Sequence, residues 1–109
     1  AEESGVDLTI EVDAVPIIDE ARHLAADGVV PGGTGRNLGW IQDRLRPSDG
    51  VDEIDLTVLA DAQTSGGLLF GVDDDRVEAV LDGLRSSGHT AARVGAVTSG
   101  DGTIHLQKN

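Results

Sequence analysis

The chain has 109 residues, of which 39% are hydrophobic but only 2% aromatic, and 20 acids against 8 bases give it a formal net charge of −12. That length fits one domain or part of one, with an aliphatic core in which Phe70 and Trp40 are the only aromatic residues. The charge speaks against non-specific binding to nucleic acid or to an anionic membrane surface, and the lack of cysteine excludes disulfides, thiolate metal sites and a thiol nucleophile within this chain.

No apolar run reaches the ~18 residues of a membrane span and no basic-plus-apolar leader is visible, so the sequence reads as soluble and cytoplasmic. It contains no methionine, which fits a processed start or an excised fragment. Val6 to Val12 alternates apolar and polar residues, the period of a half-buried strand. Pro16 is expected to open a helix running to Ala26, with Ile17, Ala21, Leu24 and Ala25 on one face and Gly28 at its end.

"VVPGGTGRN" reads as a glycine-rich loop, with Thr34 as the N-cap of a short helix carrying Leu38, Ile41 and Leu45 and with Trp40 on its flank. "RPSDG" is a break, and Glu53 to Ala60 a short helix. The continuous apolar run Leu68 to Val72 suggests a strand covered on both faces. Asp73–Asp75 then precede the clearest helical pattern in the chain, with Val77, Val80, Leu81 and Leu84 on one stripe and Gly88 as the stop. The final sixteen or so residues read as two strands joined through Ser99–Gly102, a hairpin signal. The order β-α-α-α-β-α-β-β predicts an α/β (α+β) fold, a mixed sheet covered by helices.

Several apparent sites have plainer explanations. Three adjacent carboxylates at Asp73–Asp75 do not converge on one ion and suit a helix N-terminus better. His23, His89 and His105 show no metal-ligand spacing, and Ser65 lacks the surroundings of a nucleophile.

Two segments keep a functional reading open. "PGGTGRN" combines backbone N–H groups with Arg36, and between Pro31 and Pro47 three arginines face one acid, whereas Ser48 to Asp61 holds five acids and no base. Either these neighbours pair with each other or the first segment collects an anion. "DAQTSGG" is balanced in the same way. It is either a self-bonded turn, with the Asp61 carboxylate accepting N–H groups of Gln63 or Thr64, or a cradle whose Gly66 and Gly67 admit a phosphate.

Taken together, "VPGGTGRNLGW" and "LADAQTSGGLL" resemble the C-terminal domain of selenophosphate synthetase (selenide, water dikinase), within the superfamily of aminoimidazole-ribonucleotide synthetases. "ESGVDLTIEVDAVPII" and "VEAVLDGLRSSGHTAARVGAVT" extend the resemblance over essentially the whole chain. The resemblance implies a three-layer α/β/α domain, here residues 1–109 without its beginning, from a homodimeric, cytoplasmic enzyme of selenocysteine biosynthesis. Such an enzyme uses ATP and Mg2+ to turn selenide and water into selenophosphate, AMP and phosphate. Nucleic acid and membrane are not among its partners.

The family's catalytic Cys or selenocysteine, its lysine and most of its metal-binding acids belong to an N-terminal ATP-binding domain that is not in this chain. The chain alone is therefore expected to be inactive. It is expected to contribute no catalytic or metal-binding residue. Gly32, Gly33, Thr34, Arg36 and Asn37 match one family motif, and Gln63, Thr64, Ser65, Gly66 and Gly67 match the other. They form the expected cofactor-facing set. One departure is Ala62, where the family usually has proline; its loss costs about 0.4–1 kcal/mol of pre-organisation. Two alternatives remain at this point: another ATP-dependent relative of the thiamine-phosphate kinase type, or a free-standing anion-binding module.

Overall fold

A computed structural model describes all residues from Ala1 to Asn109. Four strands, β1 (Val6–Glu11), β2 (Leu45–Pro47), β3 (Gly95–Ser99) and β4 (Ile104–Gln107), form one mixed sheet in the order β2-β4-β1-β3. β1 runs antiparallel to β3 and parallel to β4, and β2 is parallel to β4. Four helices accompany the sheet: α1 (Ala21–Ala26), α2 (Gly32–Ile41), α3 (Glu53–Leu59) and α4 (Val77–Ser86). The mixed sheet with helices is the expected α/β class. No helix is long and apolar enough to cross a membrane.

The first strand and the last two helices follow their sequence patterns. β1 takes the alternating segment. α4 half-buries Val77, Val80, Leu81 and Leu84, the stripe its spacing predicts. Gly28 and Gly88 end α1 and α4 in the left-handed conformation, with φ of 81° and 87°. In each case the glycine N–H and the next one turn back to the helix carbonyls, as Gly28 does to Ala25 and Val29 to Leu24.

Elsewhere the structure corrects the expectation. The helix expected from Pro16 begins only at Ala21; Val12–Ala14 forms a 3-10 turn directly after β1, and the chain from Val15 to Glu20 stays irregular. Arg46 and Pro47 of the expected break lie in β2, which also takes Leu45 from the short helix assigned to it. Leu68–Val72 pairs with nothing and stays exposed, so no strand forms there. Ser99–Gly102 does not close a hairpin, because β1 lies between β3 and β4.

That last arrangement depends on Asp7. Its Oδ1 accepts the N–H groups of Asp101, Gly102 and Thr103 at 3.1, 3.2 and 2.9 Å. His105 Nε2 lies 3.5 Å from the other oxygen. The Thr103 N–H is foremost in holding the Asp7 carboxyl below its ordinary range; partial burial works against it, and the other two N–H groups and His105 add to it. A segment with turn-forming composition thus bends around a carboxylate instead of joining neighbouring strands. Gly95 and Gly100 are needed for the same packing: a Cβ on the first would enter the Thr9 carbonyl, and one on the second the Asp7 carboxylate.

The apolar core is thin. Of five buried residues only Val12 and Leu106 are large and apolar, and the others are Thr34, Asp55 and Gly102. Asp55 is fully buried in the first turn of α3. It forms a capping box with Asp52, donating its N–H to Asp52 Oδ1 at 2.8 Å and accepting the Asp52 N–H at 3.0 Å. Arg22 of α1 donates to its Oδ1, and Lys108, just past β4, to its Oδ2 at 2.9 Å.

Burial is the largest influence on the Asp55 carboxyl and would raise its pKa. Lys108, the Asp52 N–H and Arg22 together outweigh it and hold the group at about 2. The folded pKa is depressed, so this contribution is complete above the unfolded value near 3.8 and is lost as pH falls toward 2. Asp55→Asn should lower unfolding stability at pH 7 by about 3–5 kcal/mol, since two cations lose their buried partner. It should also flatten the fall in stability between pH 4 and 2 that the unsubstituted chain shows. Urea unfolding across that pH range measures both effects.

Candidate functional site

α2 begins earlier than its sequence suggests. Pro31 is the N-cap, and Gly32, Gly33, Thr34, Arg36 and Asn37 all lie inside the helix. Glycine costs about 1 kcal/mol per residue in a helix relative to alanine, which is why the segment reads as a loop. Close packing against the end of α3 offsets that cost. A Cβ on Gly33 would stand 2.8 Å from the Ala62 Cβ, so only glycine lets the two segments meet this closely.

Two hydrogen bonds fix the contact. Thr34 is not the N-cap; its side chain is buried one turn in, where Oγ1 accepts the Ala62 N–H at 3.3 Å. Asn37 Nδ2 donates to the Ala60 carbonyl at 2.9 Å. The structure therefore joins the two motifs, and it does so through Gly33, Thr34 and Asn37 on one side and Ala60–Ala62 on the other. Ala62 matters here in a way its residue type does not announce. A proline at that position would have no N–H for Thr34 to accept.

The second motif turns outward. Gln63 through Gly67 are exposed, and α3 ends before them. The Asx-turn expected at Asp61 is replaced by a side-chain contact, with Gln63 Nε2 donating to Asp61 Oδ2 at 3.3 Å. The Gln63 side chain folds over Gly66, whose missing Cβ makes room for its Oε1. Thr64 and Ser65 make no side-chain hydrogen bond.

The arginines do not pair with the acidic stretch that follows them. Arg44 bonds to Glu2 at 2.6 Å and to the Asp101 carbonyl at 2.8 Å, and Arg46 bonds to the carbonyls of Asp43 and Leu45. Arg36 forms no ion pair; its guanidinium curls back over the first turn of α2, near Gly32 and Gly33. Two acids of Ser48–Asp61, Asp52 and Asp55, are served from elsewhere, by Arg22 and Lys108. Sequence reasoning missed that pairing. A lone lysine at the penultimate position of the chain was its one visible signal.

The site combines an exposed guanidinium, the N–H groups that open a ten-residue helix and an exposed polar loop beside them. Such groups can take an anion. No group of three or more His, Asp or Glu is placed to share a metal ion.

The chain matches the family described as AIR synthase related protein, C-terminal domain, over residues 1–107, and belongs to it. Among curated relatives, a selenide, water dikinase of Porphyromonas gingivalis (strain ATCC 33277) is 44% identical over 108 residues, covering 97% of this chain. One from Myxococcus xanthus is 42% identical over 84% of the chain, and selenide, water dikinase 2 of Peptoclostridium acidaminophilum is 42% identical over 86%. The matched regions amount to 30%, 26% and 27% of those relatives' lengths, so the chain spans less than a third of each.

Thr34→Val keeps the size of the side chain but removes the acceptor of the Ala62 N–H. It should cost about 1–2 kcal/mol of unfolding free energy, the cost of a partly buried donor left unpaired. The shift of the urea midpoint at constant slope measures it.

Proposed function

We propose that this chain is the C-terminal domain of a selenide, water dikinase, an enzyme that makes selenophosphate, AMP and phosphate from ATP, selenide and water. The observation that carries the reading is the agreement of relatives bearing that name, at 42–44% identity over 84–97% of the chain. The contact between the two motifs supports it, because segments 28 residues apart in the chain are joined through Thr34 and Ala62.

Within that enzyme the chain's part is binding and shaping. Arg36 offers a planar fork of donors to a phosphate oxygen, and the N–H groups of Gly32 and Gly33 head a helix where no preceding turn can accept them. Thr64, Ser65, Gly66 and Gly67 form the adjacent wall, and Gln63 shapes it through its contact with Asp61. Thr34 and Asn37 hold the two walls together rather than reaching for ligand.

ATP, when bound, supplies the phosphoryl group, and an anion suits the groups present here. Magnesium does not find a ligand set in this chain, so it is assigned to acids outside it. The nucleophile and its lysine are likewise assigned to an N-terminal ATP-binding domain outside residues 1–109. The enzyme acts on small molecules as a cytoplasmic homodimer, with neither nucleic acid nor membrane as partner.

The test is selenide-dependent formation of AMP from ATP. The full-length protein should catalyse it and the present chain alone should not. In the full-length protein Arg36→Ala should raise the KM for ATP roughly tenfold or more, the equivalent of a lost charge-assisted hydrogen bond, with little change in Tm. A drop in Tm at unchanged KM would assign Arg36 a structural role instead.

A further inference from the structure

The sequence holds four Asp–Gly pairs, at Asp27–Gly28, Asp49–Gly50, Asp82–Gly83 and Asp101–Gly102. Such a pair can rearrange on itself, because no side chain on the glycine keeps its nitrogen from the neighbouring carboxyl group. The glycine N–H decides whether it does. A nitrogen that already donates a hydrogen bond is held in place and must give that bond up first.

Three of the four are committed. Gly28 donates to the Ala25 carbonyl at 3.0 Å as it stops α1. Gly83 lies inside α4, where its N–H belongs to the helical ladder. Gly102 is buried and donates to Asp7 Oδ1 at 3.2 Å. Gly50 is the exception. Ser48–Val51 is a turn closed by the Val51 N–H on the Ser48 carbonyl at 3.0 Å, and the exposed Asp49 and Gly50 form its tip, with the Gly50 N–H donating to no group of the protein.

We propose that Asp49 is a site of spontaneous isoaspartate formation and that this change releases Lys108 from Asp55. The Gly50 nitrogen bonds to the side-chain carboxyl carbon of Asp49, and its proton leaves with the carboxyl hydroxyl as water, closing a five-membered imide. Water then adds to that ring. Opening at the new bond restores aspartate. Opening at the former peptide bond leaves Gly50 joined through the Asp49 side chain, with the main-chain carboxyl of Asp49 free. The water lost in the first step returns in the second, and nothing is oxidised or reduced.

The product carries a main chain one carbon longer, at a turn where length matters. A Cβ on Gly50 would stand 2.9 Å from the Lys108 carbonyl oxygen, and the Lys108 N–H donates to Ser48 Oγ at 3.3 Å. Through this packing the turn seats Lys108, whose Nζ donates to the buried Asp55 Oδ2 at 2.9 Å. A lengthened turn displaces both contacts, and with them one of the two cations on which Asp55 depends. The site is independent of the activity proposed above, since none of these residues belongs to the two motifs.

The full-length protein is aged for weeks at body temperature in mildly acidic buffer and digested with trypsin, which places the four pairs on four separate peptides. Electron-transfer fragmentation tells isoaspartate from aspartate in each. Isoaspartate at Asp49 should reach several times the level at Asp27, Asp82 or Asp101. In concentrated urea the four levels should converge, since the fold is what separates them. Deuterium exchange should reveal a fast-exchanging fraction over Ile104–Lys108 that grows in step with isoaspartate. Aged Asp49→Glu should show no such fraction, because its longer side chain would have to close a less favourable six-membered ring. Equal levels at the four pairs of the folded protein, or a lead by Asp101, overturn the assignment. Isoaspartate at Asp49 with unchanged exchange overturns its link to Lys108.

Discussion

The buried carboxylate of Asp55 holds together parts of the chain that the apolar core is too small to organise. Its partners lie 33 residues before it, at Arg22, and 53 residues after it, at Lys108. Through them α1, α3 and the end of β4 meet at one point. A buried ion pair is not stabilising merely by existing, since removing charges from water costs several kcal/mol per ion. What it contributes is direction. Leu106 and Val12 can be buried in many arrangements, whereas a carboxylate with two cations and a backbone N–H has few ways to be satisfied. Asp55 reaches its state near pKa 2 because the surroundings outweigh its burial, and they do so only if all these groups arrive together.

Asp7 organises the sheet by the same means. Three successive N–H groups converge on one of its oxygens, and the chain between β3 and β4 is thereby carried past β1. This explains which parts of the fold were legible in the sequence. β1, α3 and α4 follow from hydrophobic period, an N-terminal acid and a terminal glycine, all local signals. The hairpin expected at Ser99–Gly102 fails because its turn residues are real but their N–H groups are taken by a residue more than 90 positions earlier. Leu68–Val72 fails differently. Its composition suits a strand, but a strand exists only where an edge receives it, and composition does not carry that information.

The candidate site was legible as a pair of motifs and illegible as geometry. Glycine content argued for a loop at Gly32–Gly35, and on propensity alone that is sound. The helix forms because glycine's lack of a side chain, its weakness inside a helix, is what permits contact with Ala62. The arginine excess between Pro31 and Pro47 likewise suggested either local ion pairs or an anion site. Arg44 and Arg46 turn to carbonyls and to Glu2, so neither pairs with the acidic stretch, and only Arg36 is left without a partner.

Division of labour within each motif follows from burial. Thr34 is sealed against Ala62 and has no hydrogen-bonding capacity to spare in the direction of solvent. Asn37 commits its amide to the Ala60 carbonyl. Neither can release its partner to meet a ligand without opening the contact that sets the two walls side by side. Arg36 and Thr64–Gly67 have no such commitment. The residues that hold the two segments together and the residues left exposed beside them are therefore different sets, interleaved along the same few positions of chain. Alanine occupies the position where the sequence resemblance implies proline, and its N–H is the donor that Thr34 accepts. That hydrogen bond across the two motifs ties the loop at its base while its exposed end stays open to solvent.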